Sequence, residues 1–111
     1  MTGRVVRVWK GSGTAEGVED YCRKHFAGTV LPRLQALDGF LDANVLVRTG
    51  AAETEVVVAT TWESIAAIKT FAGADYERAV LEPIVRELLM RVDDHVTHFT
   101  VALASPDEKG T

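Results

Sequence analysis

Two runs of strand-forming residues, Phe-Leu-Asp-Ala-Asn-Val-Leu-Val-Arg at 40–48 and Glu-Val-Val-Val-Ala-Thr-Thr-Trp at 55–62, flank a short turn around Gly50. Strands joined by so short a loop pair antiparallel, because a parallel return needs a long crossover. This hairpin constrains the rest of the chain. Helical patterns precede and follow it, and further strand patterns lie beyond them, which leaves few topologies open.

Residues 4–10 are short and β-branched and run into Gly11, Ser12 and Gly13, the pattern of a first strand with Trp9 near its end. Thr14 is placed to cap a helix whose apolar stripe runs through Val18, Tyr21, Cys22, His25 and Phe26. Gly28 and Pro32 predict a kink or restart in it, after which Leu31, Leu34 and Leu37 continue the apolar face as far as Asp38 and Gly39. After the hairpin, Ser64 is an N-cap for a helix carrying Ile65, Ile68 and Phe71, and Gly73 ends it. Asp75 is the expected cap of a last helix running through Val80, Leu81, Ile84, Val85, Leu88 and Leu89, kinked or restarted at Pro83. A last strand is expected at 95–103. The order strand, helix, strand, strand, helices, strand predicts an α+β class domain, a ferredoxin-like βαββαβ unit with an antiparallel four-stranded sheet, over residues 1–104. Residues 105–111 read as a polar C-terminal tail. Helices on one side leave the second sheet face bare, and self-association into a homodimer is the expected cover.

The 111 residues suffice for one core, and 47% hydrophobic with 25% charged residues describes a globular chain rather than a disordered one. A net charge of -4 without a basic stripe argues against a nucleic-acid partner. Apolar runs fall far short of the roughly 20 residues that span a bilayer. The N-terminus lacks a signal-peptide pattern, so no membrane role and a cytoplasmic location are expected. Cys22 is the only cysteine, which precludes an intrachain disulfide and a cysteine-rich zinc site. No metal site is expected from His95 and His98, because three-residue spacing on a strand sends their side chains to opposite faces. Neither a Ser/His/Asp pattern nor a phosphate loop nor a dinucleotide fingerprint is present.

The chain resembles the antibiotic biosynthesis monooxygenase (ABM) domain family, whose members fold as dimeric α+β barrels. The likeness covers residues 4–103. It is carried by Val-Trp-Lys-Gly at 8–11, Gly-Phe-Leu at 39–41, Thr-Trp-Glu-Ser at 61–64, Ala-Ile-Lys-Thr-Phe-Ala-Gly-Ala-Asp at 67–75 and Val-Thr-His-Phe-Thr-Val at 96–101. The resemblance implies a cofactor-independent monooxygenase, with no metal or flavin, acting on an aromatic, anthrone or quinol-like molecule. A noncatalytic small-molecule-binding or stabilising barrel is the alternative it also accommodates. A haem-binding or haem-degrading branch is similar in fold and holds iron with a histidine on the helix after the third strand. The matching stretch here, 71–81, contains Val80 and Leu81 and no histidine. Trp62 matches the pocket tryptophan of the polyketide-oxidising branch, whereas Val58 stands where that branch has an asparagine.

A cofactor-free oxygenase needs a base, donors for a developing oxyanion and a water-excluding apolar cavity. His98, mid-strand among apolar neighbours, is the candidate base, and its other reading is a hydrogen-bonded structural histidine. Trp9, Trp62, Phe71 and Tyr76 are candidates for an aromatic wall around a small hydrophobic aromatic ligand, or else ordinary core. Tyr21 and His25, four residues apart on the first helix, share a face that can close such a cavity.

Overall fold

The computed structural model of the chain describes residues 3–105, so positions 106–111 of the expected tail lie outside the described residues. Strand β1 (Val5–Gly13) alternates strictly, with Val5, Arg7 and Trp9 buried on one face and Val6 and Val8 on the other. β2 (Phe40–Thr49) and β3 (Thr54–Trp62) form the antiparallel hairpin, with Val45 opposite Val58 and Leu46 opposite Val57. β1 pairs antiparallel with the other edge of β3, which sets Trp9 opposite Val58 and Arg7 opposite Thr60.

The fourth sheet position is filled in two pieces rather than by one strand over 95–103. β4 (Arg91–Val92) pairs with Ser12 and Gly11, and β5 (Thr97–Thr100) pairs with Val8 to Val5, both antiparallel. From Gly11 to Val8 the chain takes three steps, and from Val92 to Thr97 it takes five, so two extra residues bulge out of the ladder. The bulge is employed: Asp94 O accepts from Ala79 N, and Glu77 O accepts from Val96 N, at 2.8 Å each. The sheet order β2-β3-β1-β4/β5 and its antiparallel pairing are those of the ferredoxin-like α+β fold.

All helices pack on one face. Thr14 caps α1 (Ala15–Asp20) by accepting from Gly17 N at 2.9 Å. The helix then continues unbroken as a π-helical segment (Tyr21–Val30) and α2 (Leu31–Gln35). The expected kink at Gly28 and Pro32 is therefore a change of winding: Leu31 N bonds to Phe26 O, five residues back. α3 (Ile65–Ala72) is capped by Ser64, which accepts from Ala67 N at 3.1 Å, and stops at Gly73. The last helix is shorter than expected. Residues 73–82 are mostly irregular, Asp75 makes a backbone turn to Arg78 N rather than a cap, and α4 spans only Pro83–Leu88. The reason is Pro83, which excludes Glu82 from helical geometry and instead begins the helix. Glu77, Glu82, Arg78 and Arg86 consequently do not form one helical face; Glu82 pairs with Arg33 and Arg86 with Asp94.

Trp62, Leu34, Ile68, Val18, Val56 and Val85 form the fully enclosed centre between sheet and helices. On the opposite sheet face Val6, Val8, Val57, Ala59, Leu46 and Phe99 have no covering element among the described residues, and Leu46 and Phe99 are 55% and 54% exposed.

Gly39, at φ +86°, joins α2 to β2 directly against α3: a Cβ there would lie 2.4 Å from the Ala67 methyl carbon. Gly73 has a similar φ of +83° but open space around it. Gly73→Ala is predicted to lower stability by roughly 1–2 kcal/mol through backbone strain alone. Gly39→Ala should lower it by about 2 kcal/mol more than Gly73→Ala, because packing must shift as well. Denaturant titration of both variants checks this, and equal losses would show that the α3 contact is unimportant.

Candidate functional site

The π-helical segment determines which side chains meet the sheet. In an α-helix, at about 100° per residue, Val30 would point away from Tyr21. An i→i+5 ladder turns more slowly, roughly 4.4 residues per turn, and brings Val30 to within about 20° of Tyr21. Tyr21, His25, Phe26 and Val30 thereby share one face and line a cavity against the sheet. Arg7 and Trp9 of β1 and Val58 and Thr60 of β3 form its floor. Phe71, residues 79–81, Leu34, Val85 and Val96 complete the walls. The cavity volume is about 70 Å³. One water takes roughly 10–15 Å³ by this measure, so the sheltered part of this partly open pocket holds a handful of waters.

Its aromatic wall is ordered by contacts between rings. Trp9 and Tyr21 have centroids 5.6 Å apart, Tyr21 and His25 5.7 Å, and Tyr21 and Phe26 6.4 Å. Trp9 donates from Nε1 to Asp93 O in the strand bulge at 2.8 Å, which fixes the indole plane.

Arg7, Tyr21 and His25 are the titratable residues of the lining. The Arg7 guanidinium is 5% exposed and lies 5.9 Å over the Phe71 ring. It donates to Tyr76 O, to Arg78 O at 3.0 Å and, because it has only donors, to His98 Nε2 at 3.2 Å. No acidic side chain among the described residues pairs with it. Burial lowers its pKa to about 10, which still leaves it a cation at neutral pH. Tyr21 is 5% and His25 7% exposed, and neither side chain makes a hydrogen bond among the described residues; since no fully buried side-chain N or O there lacks a partner, their polar atoms are not sealed from the pocket mouth. Burial, with a smaller contribution from Cys22, pushes the Tyr21 phenol well above its usual pKa, so it remains a neutral donor.

The residues singled out from sequence divide into two groups. Trp9, Tyr21, His25 and Phe71 line the cavity. Trp62, Tyr76 and His98 do not. Trp62 is fully buried between Phe40, 5.3 Å away edge-on, and Phe71, 6.0 Å away and stacked, and its Nε1 donates to Thr60 Oγ1 at 2.9 Å. Tyr76 packs edge-on against His98 at 5.3 Å. His98 stands behind Arg7, half-buried, with its Nε2 lone pair engaged by the guanidinium. Burial and then the Arg7 charge lower its pKa, so its imidazole is held neutral with the proton on Nδ1. Protonating Nε2 would break that bond and set two cations 3.2 Å apart, a geometry unsuited to a base. Arg7 itself was not anticipated. The signal lay in β1: an arginine in phase with Val5 and Trp9 occupies a core position of the alternation. Among the described residues no group of three or more His, Cys, Asp or Glu side chains is arranged to hold a metal ion.

No family model and no curated protein matches the sequence. Solved structures do match. A candidate antibiotic biosynthesis monooxygenase from Bacillus cereus superposes with a TM-score of 0.64 at 22% identity, covering 94% of this chain and 96% of that one. SnoaB, a cofactor-independent oxygenase from Streptomyces nogalater, superposes as an asparagine-to-alanine variant with a TM-score of 0.63 at 16% identity. A second SnoaB structure gives 0.56 at 17% identity, and in both cases 95% of this chain and 99% of the other are covered. The chain thus has, over nearly its whole length, the α+β fold of these oxygenase structures.

Proposed function

We propose that the chain is a cofactor-independent monooxygenase that oxidises a small aromatic hydroxy compound with dioxygen inside this cavity. The observation that carries the reading is the cavity itself, a partly open pocket walled by Trp9, Tyr21, Phe26 and Phe71. Such a site offers a bound ring an apolar wall, with a cation and two hydrogen-bonding side chains to act on it. Similarity of fold to SnoaB supports the reaction class, and the aromatic lining supports an aromatic ligand. Tyr76, Trp62 and His98 take supporting roles: Trp62 backs Phe71, and Tyr76 and His98 buttress Arg7. A noncatalytic binding barrel is the second reading, favoured by Val58, an apolar floor residue where the resembled polyketide-oxidising branch has an asparagine.

The working unit in this reading is a homodimer joined through the bare sheet face. Two copies placed face to face would bury Leu46, Phe99 and the valines of β1 and β3, which as a monomer surface form an extended apolar patch.

Oxygen uptake measured with a panel of hydroquinones and anthrones should therefore exceed the uncatalysed rate. Ala79 lies in the cavity wall, and Ala79→Phe should fill the cavity and lower kcat/KM roughly 10-fold or more with the fold intact by circular dichroism. Binding without uptake across the panel would favour the noncatalytic reading. Analytical ultracentrifugation should show a dimer at micromolar concentration. Phe99→Asp should raise its dissociation constant at least about 30-fold; a wild-type monomer would refute the assembly.

A further inference from the structure

Arg7 is a buried cation without a counterion. It is 5% exposed and lines the pocket, yet no acidic side chain among the described residues pairs with it. The chain has 16 aspartate and glutamate residues and the lining has none, so the protein's own acids leave the pocket positive. A guanidinium carries five N–H donors in one plane. Those on Nη1 go to Tyr76 O and His98 Nε2, and one on Nη2 goes to Arg78 O. The Nε hydrogen and the second Nη2 hydrogen have no acceptor among the described residues. Because no sealed side-chain N or O among those residues lacks a partner, Nε is reachable rather than walled off. The Phe71 ring covers one face of the guanidinium at 5.9 Å, which leaves its edge for a hydrogen-bonding ligand.

Two unused donors on one cation suit an acceptor with two oxygens and one negative charge. A carboxylate has that form: it is planar like the guanidinium and its oxygens accept from neighbouring N–H groups together. A phosphate monoester brings more charge than one arginine balances, and the lining holds no second arginine and no lysine. An anion in contact with a sheltered cation gains more than it would at an open surface. The rest of the wall, Trp9, Tyr21, Phe26 and Phe71, suits a flat apolar body. Tyr21, kept protonated by its burial, adds no competing negative charge. We infer that the pocket binds an aromatic monocarboxylate, with the carboxylate on the free edge of Arg7 and the ring against the aromatic wall. Such a ligand is already ionised in solution at neutral pH, so no residue of the pocket needs to take its proton. The inference rests on the pocket that also carries the proposed oxidation and not on the oxidation itself, because it concerns a charge that hydroquinones and anthrones lack at neutral pH.

Calorimetric titration of the full-length protein at neutral pH with 2-naphthoate, and with 2-naphthamide as its uncharged counterpart of the same shape, tests this. The carboxylate should bind at least about 10-fold tighter than the amide, the difference expected for a charge-assisted hydrogen-bonded pair. Ala79→Phe, which fills the pocket from its wall, should weaken naphthoate binding by a similar factor. Arg7→Gln should bring acid and amide to equal affinity. Arg7→Lys, which keeps the charge without the paired donors, should retain a smaller preference for the acid. If Arg7→Gln does not fold, the acid-to-amide ratio in the wild type and the loss in Ala79→Phe decide between them. Equal affinities in the wild type, naphthoate binding undiminished in Ala79→Phe, an acid preference that survives in folded Arg7→Gln, or no binding at millimolar naphthoate would each overturn the inference. Acetate binding as tightly as naphthoate would overturn the part given to the rings. Carboxylate preference without oxygen uptake from the hydroquinone and anthrone panel would sustain the inference while refuting the oxygenase reading. Uptake from that panel with equal affinity for acid and amide would do the reverse.

Discussion

The arrangement of this molecule turns on one buried guanidinium. Arg7 occupies a position in β1 where alternation demands a core residue, with Val5 on one side and Trp9 on the other. A cation there is expensive to desolvate, and its depressed pKa of about 10 expresses that expense. What compensates it also builds the site. Its donors reach the carbonyls of Tyr76 and Arg78, which belong to a stretch with no helix or strand of its own to hold it. Residues 79–81, immediately following, form the front wall of the cavity. Truncating Arg7 would therefore leave two carbonyls unpaired beside a wall that the Ala79–Asp94 and Glu77–Val96 backbone bonds still hold.

The opposite wall depends on winding. A regular α-helix from Ala15 to Gln35 would carry Tyr21 and His25 to the sheet, leave Phe26 at the margin of that face and turn Val30 away. Slower winding over Tyr21–Val30 aligns all four, and it also removes the need for a break at Pro32. Unusual helical geometry and the concentration of aromatic and titratable groups coincide in one segment, as π-helical turns often do at functional sites.

Much of the fold was legible because it rests on local signals. The antiparallel hairpin, the Thr14 and Ser64 caps and the stop at Gly73 each follow from a few residues whose backbone chemistry has little choice. The site was legible only by halves. Tyr21 and His25 were visible as a four-residue pair, but their partnership with Arg7 depends on strands and a helix far apart in sequence. The apolar residues at 80, 81, 84, 85, 88 and 89 do fit a helical period, yet Pro83 divides them and long-range bonds from Asp94 and Glu77 hold the first part irregular. His98 has the sequence context of a base and the environment of a partner, because what lies beside it is Arg7 on the neighbouring strand. Periodicity can specify a face; it does not specify what already occupies that face.

Strand parity ties these pieces together. Odd-numbered residues of β1 face the cavity and even-numbered ones face the bare side of the sheet, so a slip of one residue would exchange the two surfaces. The fourth strand position carries a bulge between Val92 and Thr97, and the two extra residues are an even number. Val92, opposite Gly11, and His98, opposite Arg7, consequently both point inward, while Phe99 remains outward. One extra residue instead of two would have set Thr97 opposite Arg7, turned His98 to the outer face and Phe99 inward. It would have removed a hydrogen-bond acceptor from the buried cation and an apolar anchor from the outer face together. The same bulge supplies Asp93 O to Trp9 and Asp94 O to Ala79, so the irregularity that breaks the strand also fixes one floor residue and one wall residue of the cavity.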